Sequence, residues 1–171
     1  MSATSFQVRR LTAEDAEAYR DLRLEGLSRH PEAFGSAYEE DARKSLAEWQ
    51  ERLATSTVFG GFQAEGLVGT AALLLQGAEK TRHKALLVGV YVQDQARGSG
   101  LARALVEAVI EEARGQVEQL LTSVGASNAP ARRLYEALGF RAWGVQPRSL
   151  KVGERYVDEV EMVLFLEEPQ P

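Results

Sequence analysis

Arg97-Gly98-Ser99-Gly100-Leu101-Ala102 is the stretch of this chain best suited to hold a charged ligand. An apolar run, Ala85-Leu86-Leu87-Val88-Gly89-Val90-Tyr91-Val92, precedes it, and Leu101, Leu105, Ala108 and Val109 follow at helical spacing. A buried strand thus enters a helix through a glycine turn. The start of a helix leaves backbone N–H groups without partners and carries partial positive charge. Glycine removes the side chains that keep a ligand off that backbone. The product is an anion cradle of phosphate size, built from the amides of Gly98 to Ala102, with the Arg97 guanidinium as support. The alternative is an ordinary strand-to-helix connection with a solvated arginine. A P-loop is excluded because no Gly-Lys-Ser/Thr closes the turn. A Rossmann fingerprint is excluded because the third glycine is missing.

The elements that position this turn can be followed along the chain. Phe6 to Arg10 alternates as a short strand does. Thr12 caps a helix with Asp15 in the capping-box place; Ala16, Tyr19, Leu22 and Gly26 share one face, and Pro31 lies beyond its end. His30 to Tyr38 reads as a loop of small residues, and Ser45 caps a second helix through Leu53, anchored by Trp49. Thr57 to Gln63 and Leu67 to Gln76 form a hairpin around Ala64-Glu65-Gly66. His83 to Gln93 is the strand that feeds the glycine turn, and the helix after it runs to about Arg114. Val117 to Val124 is a strand, and Asn128 to Leu138 a helix with Pro130 in its first turn and Gly139 past its end. Phe140 to Val145 and Tyr156 to Leu166 close the order as strands. This pattern predicts an α/β (α+β) fold, a mixed and mostly antiparallel sheet of about seven strands flanked by four helices.

Composition narrows the function classes. A chain of 171 residues with 44% apolar content is expected to fold as one domain over 1–171, its core spanning 6–166. A net charge of −5 argues against a general nucleic-acid binder. There is no Cys, so disulfides and thiolate nucleophiles are excluded. His30 and His83 are too few and too far apart for a metal site. No apolar run is long enough to span a bilayer, and Met1-Ser2-Ala3-Thr4-Ser5 lacks the segments of a signal peptide, so the expected location is the cytoplasm. The polar tail Glu167-Glu168-Pro169-Gln170-Pro171 is expected to fray.

Two motifs in the second half carry a resemblance. Arg97, Gly100 and Ala102 complete a Gln/Arg-x-x-Gly-x-Gly/Ala signature after a strand. Asn128, Ala131, Leu134, Tyr135, Leu138, Gly139 and Phe140 complete a second, Asn-x-x-Ala-x-x-Leu-Tyr-x-x-Leu-Gly-Phe. In both, and in the order of elements from Phe6 to Leu166, the chain resembles the GNAT acetyltransferase superfamily. One departure is Asp94, where that family often has proline.

The resemblance implies acetyl-CoA as co-substrate, with no metal, and an N-acetyltransferase acting by direct attack in a ternary complex. It implies that the amides from Gly98 through Ser99, Gly100 and Leu101 to Ala102 bind the pyrophosphate, and that the pantetheine arm lies along Val90-Tyr91-Val92 like an added strand. It also implies a bulge that parts this strand from Val117–Val124. Gly89 marks either that bulge or close packing under a helix. A backbone N–H at Val90 or Tyr91 is placed to polarise the thioester carbonyl. Tyr135 is the expected general acid, since a phenol is protonated at neutral pH; the other role for it is a core aromatic. Asn128 caps its helix and, by resemblance, contacts the cofactor arm.

The base is open among His83, Glu25, Asp158, Glu159 and a water chain. The acceptor, a small-molecule or peptide amine, is expected between the first helices and the last hairpin, near Arg23, Leu27, Phe34, Tyr38, Tyr156, Asp158 and Glu159. Acids there suit a cationic amine, and Arg23 suits a carboxylate. The competing functions are a non-catalytic acyl-CoA sensor on the same fold and a cofactor-free interaction protein. A homodimer would draw on the apolar last strand through Val160, Met162 and Leu164.

Overall fold

A computed structural model describes residues 5–166, and the tail expected to fray lies outside the described residues. Seven strands form one sheet: β1 (Gln7–Arg10), β2 (Thr57–Gln63), β3 (Gly66–Leu75), β4 (Lys84–Val92), β5 (Gln119–Gly125), β6 (Arg141–Val152) and β7 (Arg155–Phe165). Their order is β1-β2-β3-β4-β5-β7-β6. Every pair is antiparallel except β4 with β5. That exception follows from the strand–helix–strand connection, which returns the chain in the direction it left.

Helices cover both faces. On one, α4 (Leu101–Ala113) buries Leu101, Leu105, Val106, Val109, Ile110 and Ala113 against Ala71, Leu73, Ala85, Leu87 and Leu120. Each large side chain in that row contributes on the order of 1.5–3 kcal/mol by leaving water. Beside it α5 (Ala129–Ala137) packs through Tyr135. On the other face, α1 (Ala16–Arg29) and α3 (Leu46–Thr55) meet through Tyr19 and Trp49, whose rings stand edge to face 5.5 Å apart. Thr12 and Asp15 behave as expected: the Thr12 N–H donates to the Asp15 carboxylate at 2.8 Å. Ser45 caps α3, accepting from the Glu48 N–H at 3.3 Å while Glu48 accepts from the Ser45 N–H at 2.7 Å.

Three details depart from the sequence expectation. Within the stretch read as a loop, Pro31–Ala33 forms a 3-10 turn, and a fifth helix, α2 (Tyr38–Ala42), starts at its end. Its only buried residue is Asp41, so no apolar periodicity announced it; acids in its first turn and a bond from the Ala37 N–H to Glu40 at 3.3 Å stabilise it. β6 runs on past Val145 to Val152. It is an edge strand, where Pro147 costs no ladder bond and polar residues face water, so its second half lacks the apolar signature of a strand. Val160 and Met162 cannot face a partner copy: they lie under the helices, 4% and 0% exposed. Strand alternation sends Val163 and Phe165 to the opposite face instead.

Candidate active site

The centre of the site is a fork between β4 and β5. Their parallel ladder pairs Lys84 with Gln119, Ala85 with Leu120 and Leu86 with Leu121, and then stops. The cause sits on the other side of β4. Thr70 pairs with Tyr91 and Ala72 with Val88, so both Gly89 and Val90 stand opposite Ala71. This is a bulge, and Gly89 takes φ +62°, a conformation that side chains with a Cβ disfavour. Of the two readings for Gly89 the bulge holds, because a Cβ there would meet only Arg23 Nη1, at 3.5 Å. Two threonines brace the opening. Thr70 Oγ1 donates to the Gly89 carbonyl at 3.2 Å, and buried Thr122 Oγ1 donates to the Leu87 carbonyl at 3.0 Å. Beyond Leu86, the main-chain edge of β4 that faces β5 has no ladder partner among the described residues.

β4 leads through a 3-10 turn, Asp94–Ala96, to the glycine turn. Gly98 and Gly100 have φ +73° and +88°, and Gly100 is the residue from which α4 starts. The Arg97 N–H donates to Asp94 O at 3.2 Å, the Leu101 N–H to Ser99 Oγ at 3.3 Å, and Ser99 Oγ to Ala96 O at 2.7 Å. Among the described residues, the N–H groups of Gly98, Ser99 and Gly100 have no partner. A Cβ on Gly98 or Gly100 would meet nothing within 4 Å, so the space in front of the turn is open. Alternating positive-φ residues that converge their amides form a concave anion nest, here continued by the first turn of α4. This donor set fits the diphosphate of coenzyme A. Arg97 is engaged beside it rather than extended: its Nε donates to Val92 O at 3.2 Å, Nη1 pairs with Asp94 at 3.0 Å, and Nη2 lies 3.2 Å from His30 Nε2.

Tyr135 comes to the fork from α5. It is buried, with its ring 5.6 Å from that of Phe140. Burial pushes its phenol up to about 12, and the Thr122 hydroxyl offsets that rise in part. Thr122 also holds the Leu87 carbonyl where the strands part, so the group that acts on the Tyr135 phenol is part of the fork. The group therefore carries its proton at neutral pH. Asn128 caps α5 through Oδ1, which accepts from the Ala131 N–H at 3.2 Å. Its side chain is exposed, and its NH2 group makes no bond among the described residues.

Side chains of α1 and the loop after it face the bulge from the opposite side. Tyr91 Oη donates to Glu25 Oε1 at 2.9 Å, and Gln93 Nε2 donates to Glu25 Oε2 at 2.7 Å. Burial and the Glu25 carboxylate push the Tyr91 phenol up to about 12. Arg23 donates through Nε to Asp41 at 3.1 Å and through Nη2 to Ser36 Oγ at 3.2 Å, and its guanidinium lies 4.7 Å from the Phe34 ring centre. Burial alone would raise the Asp41 carboxyl, but hydrogen bonds from Lys44 and Arg23 hold it below its ordinary value. The Pro31–Ala33 turn lies against β5 and β6 and closes this side.

The fork gathers some of the predicted residues and leaves others out. Val90, Tyr91, Val92, the turn from Arg97 to Ala102, Asn128 and Tyr135 all lie around it. Arg23, Phe34 and Glu25 line the opposite side. Leu27 is core, 2% exposed. His83 precedes β4 in a hollow with Glu79, Arg82 and Gly115, roughly 20 Å from Gly89 at ~3.3 Å per strand residue, too far to act as base. Asp158 accepts from the N–H of Arg148 at 2.7 Å, which secures a β6 bulge where Arg148 has φ 52°. Glu159 accepts from the Ser149 hydroxyl. Both acids thus serve the last hairpin. Tyr38 and Tyr156 are exposed, Tyr156 between Arg148 and Lys151. Sequence reasoning missed Asp41, Ser36 and Gln93, which acquire meaning only through partners distant in the chain.

This geometry agrees with the comparisons. A family model described as an acetyltransferase (GNAT) domain matches residues 8–161. The mycothiol acetyltransferase of Thermobispora bispora is 31% identical over 136 residues, 77% of this chain and 44% of that protein. The chain spans less than half the length of the mycothiol acetyltransferases it matches. Among solved structures, a GNAT-family acetyltransferase from Streptococcus pneumoniae superposes with a TM-score of 0.82 at 22% identity, over 95% of this chain and 99% of that one. The yncA structure from Salmonella typhimurium, solved with its cofactor acetyl-CoA, does so with a TM-score of 0.79 at 22% identity, over 97% and 96%. Among the described residues, no helix is long and apolar enough to cross a membrane, and no group of three or more His, Cys, Asp or Glu is placed to hold a metal ion. With the glycine nest, the forked strands and the family match over 8–161 in agreement, the chain belongs to the GNAT acetyltransferase family.

Proposed function

We propose that this chain is an acetyl-CoA-dependent N-acetyltransferase that acts on a primary amine of a small molecule or peptide, and that it works in the cytoplasm, where acetyl-CoA is available. The observation that carries the reading is the fork, an unpaired edge of β4 lying between a vacant-handed amide nest and a protonated tyrosine. Acetyl-CoA, when bound, supplies the acetyl group as a thioester: the C–N bond to the amine forms as the C–S bond breaks, releasing a thiolate. The chain's own groups divide the remaining work. The amides of Gly98 to Ala102 grip the diphosphate. The unpaired edge from Val90 to Val92 holds an extended ligand as an extra strand, and a main-chain N–H at Val90 or Tyr91 polarises the carbonyl. Tyr135 Oη gives its proton to the departing sulfur and is reprotonated from solvent. The amine proton leaves to water.

The test is incubation of the full chain with acetyl-CoA and a panel of amines, with released thiol as the readout. Amine-dependent release supports the reading. Binding of acetyl-CoA with no release across the panel favours the non-catalytic sensor instead.

A further inference from the structure

We propose that Arg23 is the specificity residue of the acceptor site and that it takes a carboxylate: the acceptor is an α-amino acid, or an acid carrying its amine at similar distance. This rests on the transferase reading above.

The argument starts from how Arg23 is held. Its side chain is 9% exposed, which is rare for arginine without a defined task. Nε is spent on Asp41 and Nη2 on Ser36, while Phe34 supports the plane of the guanidinium. These contacts fix the orientation of the fork of donors. Nη1 makes no hydrogen bond among the described residues, and it is the one heavy atom within 4 Å of where a Gly89 Cβ would stand. The unspent donors therefore face the bulge, beside the unpaired edge of β4.

Charge points the same way. Asp41, 1% exposed, is shared by two cations, Arg23 and Lys44, so the cluster carries a net positive charge. The nearby acid, Glu25, is occupied by Tyr91 and Gln93. A cationic amine without a carboxylate would meet Arg23 beside a Glu25 that already accepts two hydrogen bonds. An α-amino acid meets a guanidinium suited to its carboxylate. Its amine, two bonds from the carboxyl carbon, is then held close to the Gly89 bulge. Asp41 is a positioning residue: it aims the guanidinium and touches no substrate.

The experiment compares each of the protein L-amino acids with its own carboxamide as acceptor for the full chain, in wild type, Arg23→Gln and Arg23→Lys. Wild type is expected to prefer the acid over the amide by about a hundredfold in kcat/KM, the scale of a charge-assisted bond. Arg23→Gln should lower kcat/KM for the acid far more than for the amide, so that the acid-over-amide ratio collapses towards one. Arg23→Lys, which keeps the charge of the Asp41 pair but not the fork of donors, should fall between them. Equal use of acid and amide by wild type, equal losses on both in Arg23→Gln, or turnover confined to polyamines or peptides would overturn the assignment. The wild-type comparison needs no variant to fold. If no acceptor releases thiol, the transferase reading fails and this one falls with it; thiol release without acid preference sinks this one alone.

Discussion

On the β4–α4 side of the fork the working groups are main-chain amides, set by residues adjacent in sequence from Gly89 to Ala102. On the α1 side they are side chains drawn from Arg23, Glu25, Phe34, Ser36, Asp41 and Tyr91, and their geometry exists only after three segments pack together. On the proposed reading, the first side binds through backbone shape and tolerates any side chain that leaves that shape alone. The second, on the same reading, binds through individual charges and tolerates few changes. A transferase gains from this division: the donor molecule stays constant while acceptors vary, so the invariant half is built into the backbone and the variable half into replaceable side chains.

Gly100→Val is the harshest test of the backbone side. It places a β-branched residue at φ +88° and fills the open space of the nest. Acetyl-CoA affinity should fall at least about a hundredfold, and the added backbone strain of ~1–3 kcal/mol should lower the melting temperature. Ser99→Ala in the same turn removes bonds to Ala96 and Leu101 but no outward amide, so it should cost about 1 kcal/mol of stability and leave affinity within a few fold. Equal losses from the two would end the contrast.

Tyr135→Phe comes next and belongs to neither side. Removing one proton donor at the fork should lower kcat by about 10²–10⁴ while calorimetry finds the acetyl-CoA Kd unchanged.

Gly26→Ala probes the α1 side. Its Cβ would lie 2.9 Å from Phe34 Cζ and 3.2 Å from Tyr91 Cγ, so both rings must shift. Steady-state kinetics should show a higher acceptor KM, by roughly tenfold to a hundredfold for a displacement near 1 Å, with acetyl-CoA binding intact.

The smallest effect is on alkaline stability. Tyr91 and Tyr135 are both pushed up to about 12 from near 10, so above that ordinary value the unfolded chain loses protons that the folded chain keeps. Their contribution is complete below about pH 10 and disappears as pH rises through 12. Denaturant midpoints should fall across that window, and less steeply in Tyr135→Phe.

How much could be read in advance follows the same division. The glycine turn and the helix that carries Tyr135 were legible because each is encoded locally, by two glycines at a helix start and one motif on a short helix; Gly89 stayed open between a bulge and close packing until the β3 register decided it. Arg23 and Glu25 could be nominated but not assigned, since their partners Ser36, Asp41, Tyr91 and Gln93 are 13 to 68 residues away or buried in helices without apolar periodicity. Asp41 illustrates the limit: it sits in a run of acids that reads as a solvated surface, yet it is buried and paired. His83 was attractive by its chemistry alone, and the direction of β4 carries it to the wrong end of the sheet.

The most direct measurement is calorimetric titration of the full chain with acetyl-CoA and, separately, with acetyl-pantetheine, which lacks the diphosphate. If the amides of Gly98 to Ala102 grip that group, acetyl-CoA binds far more tightly than the truncated thioester, and Gly100→Val erases the difference. Equal affinities for the two, or no heat with acetyl-CoA on folded protein, would contradict the account.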